Sequence, residues 1–434
     1  MVKEFNTTAA YLIPAAVDWL TKGKTFRATT DNKTLFVYNE DTGVFESNVS
    51  LIVEAQIQQF MGEDTRNFMV KEVVDTIKRL NPEERENFDS KKDWVNLKNG
   101  MLNLNNKELV PHSPEFLSLK QVPVTYNPEA DCPNFKKFLS EVVSLEDGKD
   151  IMRFWGATLA PHCRFEKAIV FVGEGENGKS VMLYAVTEFF KRVNTSSESL
   201  QSLCDNTFRK AELFGKIANI KSELAATKVS QVDDFKSLVS GIDTITGERK
   251  RKDPFKFLNT AKLWFSCNEL PTVSFSDKAY YRRWIVIKFP NTFQKCSNAD
   301  NNLGEKLISE EEKSGILNMA LNGYSELEKD GGFINWNDAA KTRLIYNSSA
   351  GDTVSKFSIE CLEESLETVI TKDAFYEEYK AFCSKIKKFP LAHDNFYRSL
   401  WGINEREGRV IYARTKEGTG TSRDYSIKGW RVKR

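Results

Sequence analysis

The residues best suited to chemistry lie in one glycine-rich segment near the middle of the chain. Residues 173–180 read GEGENGKS, which fits the pattern G-x-x-x-x-G-K-[ST]. Glycines at this spacing let backbone N–H groups surround a phosphate, the lysine reaches the terminal phosphates, and the hydroxyl holds Mg²⁺. The sequence therefore predicts a site for a nucleoside triphosphate and Mg²⁺, formed by Gly173, Gly175, Glu176, Asn177, Gly178, Lys179, Ser180 and Val181.

The segments on either side of this loop support the prediction. Residues 169–172 form a continuous apolar run, which is typical of a strand buried on both faces. A helical pattern follows the loop, and a helix N-terminus adds a dipole that favours phosphate. The alternative is an ordinary glycine turn with an exposed lysine, which this context disfavours.

Two polar residues at the ends of later apolar strands complete the expected site of a P-loop ATPase. Glu223 stands just past the run 217–220, where a carboxylate can polarise the attacking water and support Mg²⁺. Asn268 ends the next apolar strand, where an amide can bind the γ-phosphate or the water. The alternatives are a surface glutamate and an asparagine that begins the turn into Pro271.

Two arginines precede the last apolar strand of this region. Arg282 and Arg283 stand just before residues 284–289. An arginine placed across a subunit boundary would neutralise transition-state charge on a neighbour's phosphate. For an isolated pair, a solvated basic surface is the ordinary explanation.

Strands that alternate with helices predict an α/β fold built on a parallel sheet. A proline-rich connector precedes this region, and a small basic region follows it. The predicted domains are an N-terminal α+β domain or collar (1–120), an ATPase domain (121–345) and a C-terminal DNA-binding domain (350–434).

Composition excludes several classes of protein. The 434 residues include 62 Lys+Arg and 61 Asp+Glu, so any basic surface must be local. Seven scattered cysteines without a Cys-x-x-Cys pair, and three separated histidines, argue against a disulfide framework or a zinc site. No apolar run is long enough to predict a membrane span, and the expected location is the cytosol of a host cell.

Four segments in order resemble the superfamily three helicases: GEGENGKS, GKIANIKSEL, KLWFSCNELP and RRWIVIKF. The resemblance is closest to the branch found at the C-terminal end of phage and plasmid primases and in poxvirus primase-helicases. It covers residues 90–290 best. It implies an AAA+-like ATPase that forms a ring, commonly a hexamer, and translocates on single-stranded DNA.

The resemblance also assigns roles by position. The matching residues are Lys179 and Ser180 in the phosphate loop, Glu223 at the second acidic Walker B position, Asn268 at sensor 1, and Arg283 at the arginine finger, with Arg282 a close competitor. Ser222 replaces the first acid that many family members have. Mg²⁺ would then depend on Ser180, phosphates and waters, and Glu223 would carry the base role alone.

Two basic regions are candidate DNA contacts. Residues 241–254 resemble a hairpin that projects into the ring's channel, and its consecutive basic residues would follow phosphates. A solvated loop is the alternative. The basic residues of this hairpin are Arg249, Lys250, Arg251 and Lys252. Phe255 and Phe257 follow them, and their rings would either pack within the hairpin or touch a base.

The second basic region is the C-terminal domain. Helical patterns at 371–382 and 391–400, followed by a two-stranded pattern at 409–430, resemble a winged helix. Residues 385–434 carry 13 Lys/Arg against 5 Asp/Glu, which suits duplex origin DNA. A small solvated interaction domain is the alternative.

The expected function is an ATP-dependent DNA helicase for replication of a phage, virus, plasmid or mobile element. Residues 1–120 contain no Asp-x-Asp pair and no cysteine, so a primase would be a separate protein or part of a longer chain. A primase or polymerase is also an expected partner. The alternatives are an origin-binding initiator or loader switched by ATP, and a P-loop kinase, which the arginines and the basic tail disfavour.

Overall fold

The computed structural model describes residues 2–47, 50–227, 232–251, 253–271, 273, 278–293, 302–407 and 426–432. The helices in these ranges are α1 (Val2–Gly23), α2 (Ser50–Met61), α3 (Asn67–Leu80), α4 (Pro133–Val142), α5 (Leu145–Leu159), α6 (Lys179–Phe190), α7 (Leu200–Asp205), α8 (Thr207–Lys210), α9 (Val232–Val239), α10 (Lys278–Tyr281), α11 (Leu303–Lys306), α12 (Glu310–Asp330), α13 (Ala339–Ser349), α14 (Thr353–Cys361), α15 (Lys372–Lys385) and α16 (His393–Glu407).

The strands are β1 (Phe26–Thr29), β2 (Leu35–Asn39), β3 (Val44–Glu46), β4 (Pro82–Glu83), β5 (Trp94–Leu97), β6 (Gly100–Asn103), β7 (Leu109–Val110), β8 (Ala168–Val172), β9 (Thr195–Ser196), β10 (Ala218–Lys221), β11 (Thr244–Gly247), β12 (Phe255–Leu258), β13 (Lys262–Cys267), β14 (Trp284–Lys288), β15 (Leu362–Thr371) and β16 (Ser426–Val432). None of the helices described above is both long enough and apolar enough to cross a lipid bilayer.

A parallel sheet forms the centre of the molecule, as the apolar runs predict. Its strand order is β14-β8-β13-β10-β9, and every neighbouring pair is parallel. All residues of β8 and β13 are buried, because helices cover both faces of the sheet. Helices α5, α6 and α12 contribute to the same hydrophobic core, in which Trp155 and Trp264 meet edge to face with ring centroids 5.8 Å apart. The mixed α/β class is confirmed.

The N-terminal part of the chain has its own core. Helices α1, α2 and α3 pack with a four-stranded sheet of order β3-β2-β1-β4. Strands β2 and β3 pair as an antiparallel hairpin, and helices α2 and α3 follow it in the chain. Helix α1 was not expected.

The cores do not follow the expected boundary at residue 120. Strands β5, β6 and β7 form a separate antiparallel sheet. Their apolar side chains, Leu97 and Leu102 among them, belong to the hydrophobic core of the parallel sheet. The N-terminal core therefore ends before β5, because the hairpin of β5 and β6 packs onto the centre of the molecule. The division into three domains itself stays a prediction.

The C-terminal part has a third core, built from α14, α15 and α16. Helices α15 and α16 lie where two amphipathic helices are predicted. Strand β16 pairs with β15, which precedes these helices. The first predicted wing strand and its tip at Gly418 and Gly420 lie outside the described residues, so the winged helix stays a prediction.

Candidate functional site

The glycine-rich loop, residues 173–178, connects β8 to α6, so the expected strand–loop–helix unit is present. Gly178 precedes the helix with φ +88°, a conformation that favours glycine. A Cβ at Gly178 would lie 2.7 Å from Val142 Cγ1, and one at Gly173 would lie 2.6 Å from the Phe289 carbonyl oxygen. Both positions therefore require glycine, whereas Gly175 has open space around it.

Lys179 begins helix α6 and is only 7% exposed. Its Nζ donates to the Gly173 carbonyl oxygen at 2.5 Å, to Asn177 Oδ1 at 2.8 Å and to Asn268 Oδ1 at 3.4 Å. Each of these acceptors is neutral, and burial lowers the pKa of Lys179. In the described part of the chain this ammonium has no carboxylate partner. An anionic group beside it would therefore be strongly favoured.

A cleft of about 1250 Å³ opens beside Lys179. Such a volume is ample for a nucleotide. The cleft lies at the carboxyl ends of the parallel strands, the edge at which open α/β sheets bind ligands. Its lining includes the loop and start of α6 (Gly175–Val181), the segments after β10 and β13 (Ser222–Ala226 and Cys267–Glu269), and residues from α4 and α11.

The cleft brings together Glu223 and Asn268, which lie on different strand ends. Strand β13 lies between β8 and β10. The direct neighbour of the loop strand therefore carries Asn268, and Glu223 lies one strand further away than expected. The backbone around Glu223 is fixed, because Leu224 N donates to Ser266 O at 2.8 Å and Ser266 Oγ donates to Ser222 O at 2.5 Å. Glu223 itself is exposed to the cleft.

The oxygen atoms available for Mg²⁺ are few. Ser180 is exposed at the second position of α6 and lines the cleft with Glu223. Among the described residues, no group of three or more His, Cys, Asp or Glu side chains could hold a metal ion. These residues fit a magnesium ion that arrives with a nucleotide, since phosphates and waters would then supply most ligands. They do not fit a metal held by protein side chains alone.

The two arginines lie at the opposite edge of the sheet from the glycine-rich loop. They directly precede β14, whose first residue, Trp284, pairs with Ala168 at the start of β8. The five residues of β8 separate this edge from the loop by about 16 Å. Within one chain the arginines are therefore not placed beside Lys179.

The surroundings of the two arginines differ. Each guanidinium lies 3.0 Å from Glu166 Oε2. Arg283 is 7% exposed, and its Nη1 also donates to Ala279 O at 2.8 Å. The side chain of Arg282 is 53% exposed. Arg282 is therefore more accessible to a neighbouring molecule than Arg283.

The basic hairpin is present as β11 and β12, which pair in antiparallel fashion with Gly247 opposite Phe255. The guanidinium of Arg249 lies over the ring of Phe255, 5.5 Å from its centroid. Phe255 and Phe257 both pack against Phe214 at 5.3 Å, so these rings hold the base of the hairpin. Lys250 and Arg251 are exposed at the tip, and Lys252 lies outside the described residues.

Phe214 is a contact that sequence reasoning missed. It lies on the segment before β10 and receives two guanidinium groups, Arg249 at 5.9 Å and Arg85 at 5.4 Å. Arg85 belongs to the N-terminal part of the chain and forms an ion pair with Asp31 at 2.6 Å. That pairing lowers the pKa of Asp31. No sequence motif marks Phe214, because its partners are distant in the chain.

Comparison with known proteins gives two family matches. A model described as "D5 N terminal like" matches residues 1–144. A model for a family of unknown function, DUF5906, matches residues 171–283. The first third of the chain is therefore similar to D5 N-terminal-like proteins. The second match begins in β8 and runs to Arg283, so it contains the glycine-rich loop, Glu223, Asn268 and the hairpin.

A curated relative and two solved structures are also similar. "Putative helicase L207/L206" of Acanthamoeba polyphaga mimivirus is 24% identical over 319 residues, which is 65% of this chain and 32% of that protein. The chain thus spans about a third of the length of this relative. Two apo structures of the NrS-1 C-terminal region have a TM-score of 0.47. Their identities are 13% and 12%, and they cover 96% and 97% of this chain and 98% and 99% of their own.

Proposed function

We propose that this protein is an ATP-dependent DNA helicase of the AAA+-like superfamily three, acting in replication of a phage, virus, plasmid or mobile element. One observation carries the proposal: a buried lysine with neutral partners faces a nucleotide-sized cleft that Glu223 and Asn268 also line. The name of the mimivirus relative and the D5 N-terminal-like match support a helicase role in viral replication.

ATP would lie with its phosphates on the loop of residues 173–178. Lys179 would donate to the terminal phosphates in place of its present neutral partners. Ser180 would hold a magnesium ion, which offsets charge on the phosphates when it is bound. Glu223 would accept a proton from the attacking water, and Asn268 would orient that water or the γ-phosphate.

The position of the arginines supports a ring arrangement. Arg282 and Arg283 are at the edge of the sheet opposite their own phosphate loop, so an arginine finger could act only on the nucleotide of a neighbouring subunit. Such shared sites require an oligomer, and a hexamer is the state that the family resemblance implies. Single-stranded DNA in the channel would contact Lys250 and Arg251 at the hairpin tip.

The test is ATP hydrolysis with and without single-stranded DNA. Wild type is compared with Lys179→Ala and Arg282→Ala, alone and mixed. Each variant should be inactive alone, because one lacks the phosphate contact and the other lacks the finger. A mixture should recover part of the activity, since a Lys179→Ala subunit can supply its arginine to the intact loop of an Arg282→Ala subunit.

Two results together would contradict the proposed helicase: a rate of ATP hydrolysis that does not change when DNA is added, and full activity of Arg282→Ala and Arg283→Ala. The alternative is an origin-binding initiator that uses ATP as an assembly switch, and the basic C-terminal region favours it. In that case the protein would bind and melt origin duplex without displacing strands processively. Neutral substitutions of Arg249, Lys250, Arg251 and Lys252 separate the two, since they should abolish strand displacement yet spare duplex binding.

A further inference from the structure

The segment that joins α15 to α16, residues 386–392, is here named the Phe389 loop. It leaves α15 through a tight turn. Lys387 N donates to Ser384 O at 3.1 Å, and Lys388 N donates to Cys383 O at 3.0 Å. Lys387 has φ +55°, in the left-handed region that usually holds glycine after a helix. The chain direction after α15 is therefore set by backbone hydrogen bonds.

Two tyrosine hydroxyls fix the far end of the Phe389 loop. Leu391 N donates to the Tyr379 hydroxyl at 3.2 Å, and the Tyr376 hydroxyl donates to Leu391 O at 2.7 Å. Both tyrosines lie on α15, and Tyr379 is buried in the C-terminal core. Hydrogen bonds to α15 thus fix both ends of the Phe389 loop. The middle of the loop projects from these fixed ends.

Phe389 occupies that middle, and its side chain is 96% exposed. No other large apolar side chain among the described residues is as exposed; the next, Ile242, is at 84%. Three exposed lysines directly precede it in sequence: Lys385, Lys387 and Lys388. Within the described residues none of the three forms an ion pair, although many other lysines do. The loop therefore presents one aromatic ring among uncompensated positive charges.

This combination suits a nucleic acid better than a protein or a membrane. Lysine is depleted in protein–protein interfaces, whereas phosphate contacts depend on it. A single ring adds little apolar area for a bilayer, yet one ring is enough to stack on a base or to wedge between two. The loop also leads directly into α16, within the stretch 385–434 where basic residues exceed acidic ones by 8 (13 against 5).

We propose that the Phe389 loop is a DNA-binding element, in which the ring of Phe389 stacks on a base and Lys385, Lys387 and Lys388 contact phosphates. This inference rests on the proposed function for its choice of DNA, and it names a contact surface separate from the hairpin. Hydrogen bonds already fix the backbone at both ends of the loop, so little backbone conformational entropy is lost on binding.

The experiment measures binding of the full chain to labelled DNA by fluorescence anisotropy across a salt series, without nucleotide. The DNAs are a single strand, a blunt duplex and a forked duplex. The variants are Phe389→Ala, Phe389→Tyr and a triple Lys385→Ala, Lys387→Ala, Lys388→Ala. The controls are Phe68→Ala, whose ring is 57% exposed on α3, and a double Lys33→Ala, Lys71→Ala. Thermal melting shows that each variant folds.

Phe389→Ala should weaken binding about tenfold to at least one of the DNAs, with an unchanged salt slope, and Phe389→Tyr should bind like wild type. The triple variant should reduce the slope of log affinity against log salt by about 2 to 3. The DNA whose affinity falls most in Phe389→Ala shows whether the ring stacks on an unpaired base or wedges between the bases of a duplex. The controls should leave affinity and slope unchanged.

Equal affinity of wild type, Phe389→Ala and the triple variant would overturn the proposal. So would loss of binding to phosphatidylserine vesicles in Phe389→Ala while DNA binding stays intact, because the loop would then be a membrane contact. Failure of the motor is a different result. If Phe389→Ala loses DNA affinity in a protein that hydrolyses no ATP, the loop assignment stands and the proposed helicase activity falls.

Discussion

The Nζ of Lys179 lies 3.4 Å from Oδ1 of Asn268 across the boundary between β8 and β13. The two residues are 89 positions apart in sequence. They meet because the loop before Lys179 follows β8 and Asn268 follows β13, and these parallel neighbours have their carboxyl ends at the same edge of the sheet. An amide oxygen is a weak partner for a buried ammonium, so a phosphate entering the cleft would replace it readily. Asn268 is thus positioned to respond to what occupies the phosphate loop.

Asn268→Ala should separate nucleotide binding from hydrolysis. In the proposed mechanism the amide orients the water or the γ-phosphate, and its loss leaves the loop and Lys179 in place. We expect turnover to fall about a hundredfold and ATP affinity to change less than fivefold. Steady-state hydrolysis and titration with a fluorescent ATP analogue measure the two quantities. Lys179→Ala is the contrasting variant, since it should lose affinity; wild-type turnover in Asn268→Ala would refute the role.

Glu223→Gln should block hydrolysis while the protein still binds ATP. Glutamine keeps the shape of the glutamate side chain, and the backbone hydrogen bonds on both sides of residue 223 keep that side chain in position. Unlike the carboxylate, the amide of glutamine cannot accept a proton from water. The expected loss of turnover is about 10²- to 10⁴-fold. Glu269→Gln is the matched control, because Glu269 also lines the cleft. Equal losses in the two variants would mean that Glu223 has no special part in the reaction.

Local sequence signals predicted the parts of the site that local chemistry determines. The glycine-rich loop, the apolar strands around it and the β11–β12 hairpin follow from short segments whose pattern admits few structures. The order of strands could not be predicted this way, and it places β13 between β8 and β10. That order depends on how strands pair over long sequence separations, which no single segment records.

Long-range contacts also determine the features of the site that the sequence alone does not predict. The resemblance favours Arg283 as the finger, yet its burial beside Glu166 depends on a residue that is far away in the chain. Phe214 gains its role only when Arg85 and Arg249 meet on it. The same holds for Phe389, since a phenylalanine in sequence predicts a core position and its exposure appears only in the folded chain.

The two arginines should respond differently to removal. Arg283→Ala leaves Glu166 partly unpaired in a mostly buried setting, so the free energy of unfolding should fall by about 2 kcal/mol or more. Arg282→Ala removes an exposed partner and should change stability by less than about 1 kcal/mol. Urea unfolding measures both. If Arg282 is the finger, Arg282→Ala will fold normally and fail in hydrolysis, whereas a stable and active Arg282→Ala would assign that role elsewhere.

Within the basic hairpin, Arg249 should matter for structure and the tip residues for DNA. Arg249 lies over Phe214 and Phe255, so Arg249→Ala should lower stability by about 0.5 to 1 kcal/mol. Lys250→Ala with Arg251→Ala should leave stability unchanged and reduce the salt slope of single-stranded DNA binding by about 1.4. Unfolding by denaturant measures the stability of both variants, and fluorescence anisotropy titrations measure their binding to single-stranded DNA. A double variant with an unchanged slope would show that the tip does not touch phosphates.

His162 gives the protein a predictable sensitivity to acid. It is 8% exposed, and its Nε2 lies 3.3 Å from the Tyr324 hydroxyl. Burial, assisted by the positive charges of Lys262 and Arg164, lowers its pKa to about 4 from an ordinary 6.5. Between these values the unfolded chain binds a proton that the folded protein does not. The free energy of unfolding therefore has its full value, as far as this group is concerned, above pH 6.5, and it decreases as the pH falls toward 4.

His162→Gln should remove that dependence. Across the window from pH 6.5 to 4, the wild type should lose about 3 kcal/mol more free energy of unfolding than the variant, because its pKa is lowered from 6.5 to about 4. Urea unfolding at intervals between pH 8 and 4 measures the difference. The value at pH 8, where histidine is neutral in both states, corrects for any packing change caused by glutamine. Parallel curves for the two proteins would mean that His162 has the same pKa in the folded protein as in the unfolded chain, and that burial and the charges of Lys262 and Arg164 do not oppose its protonation.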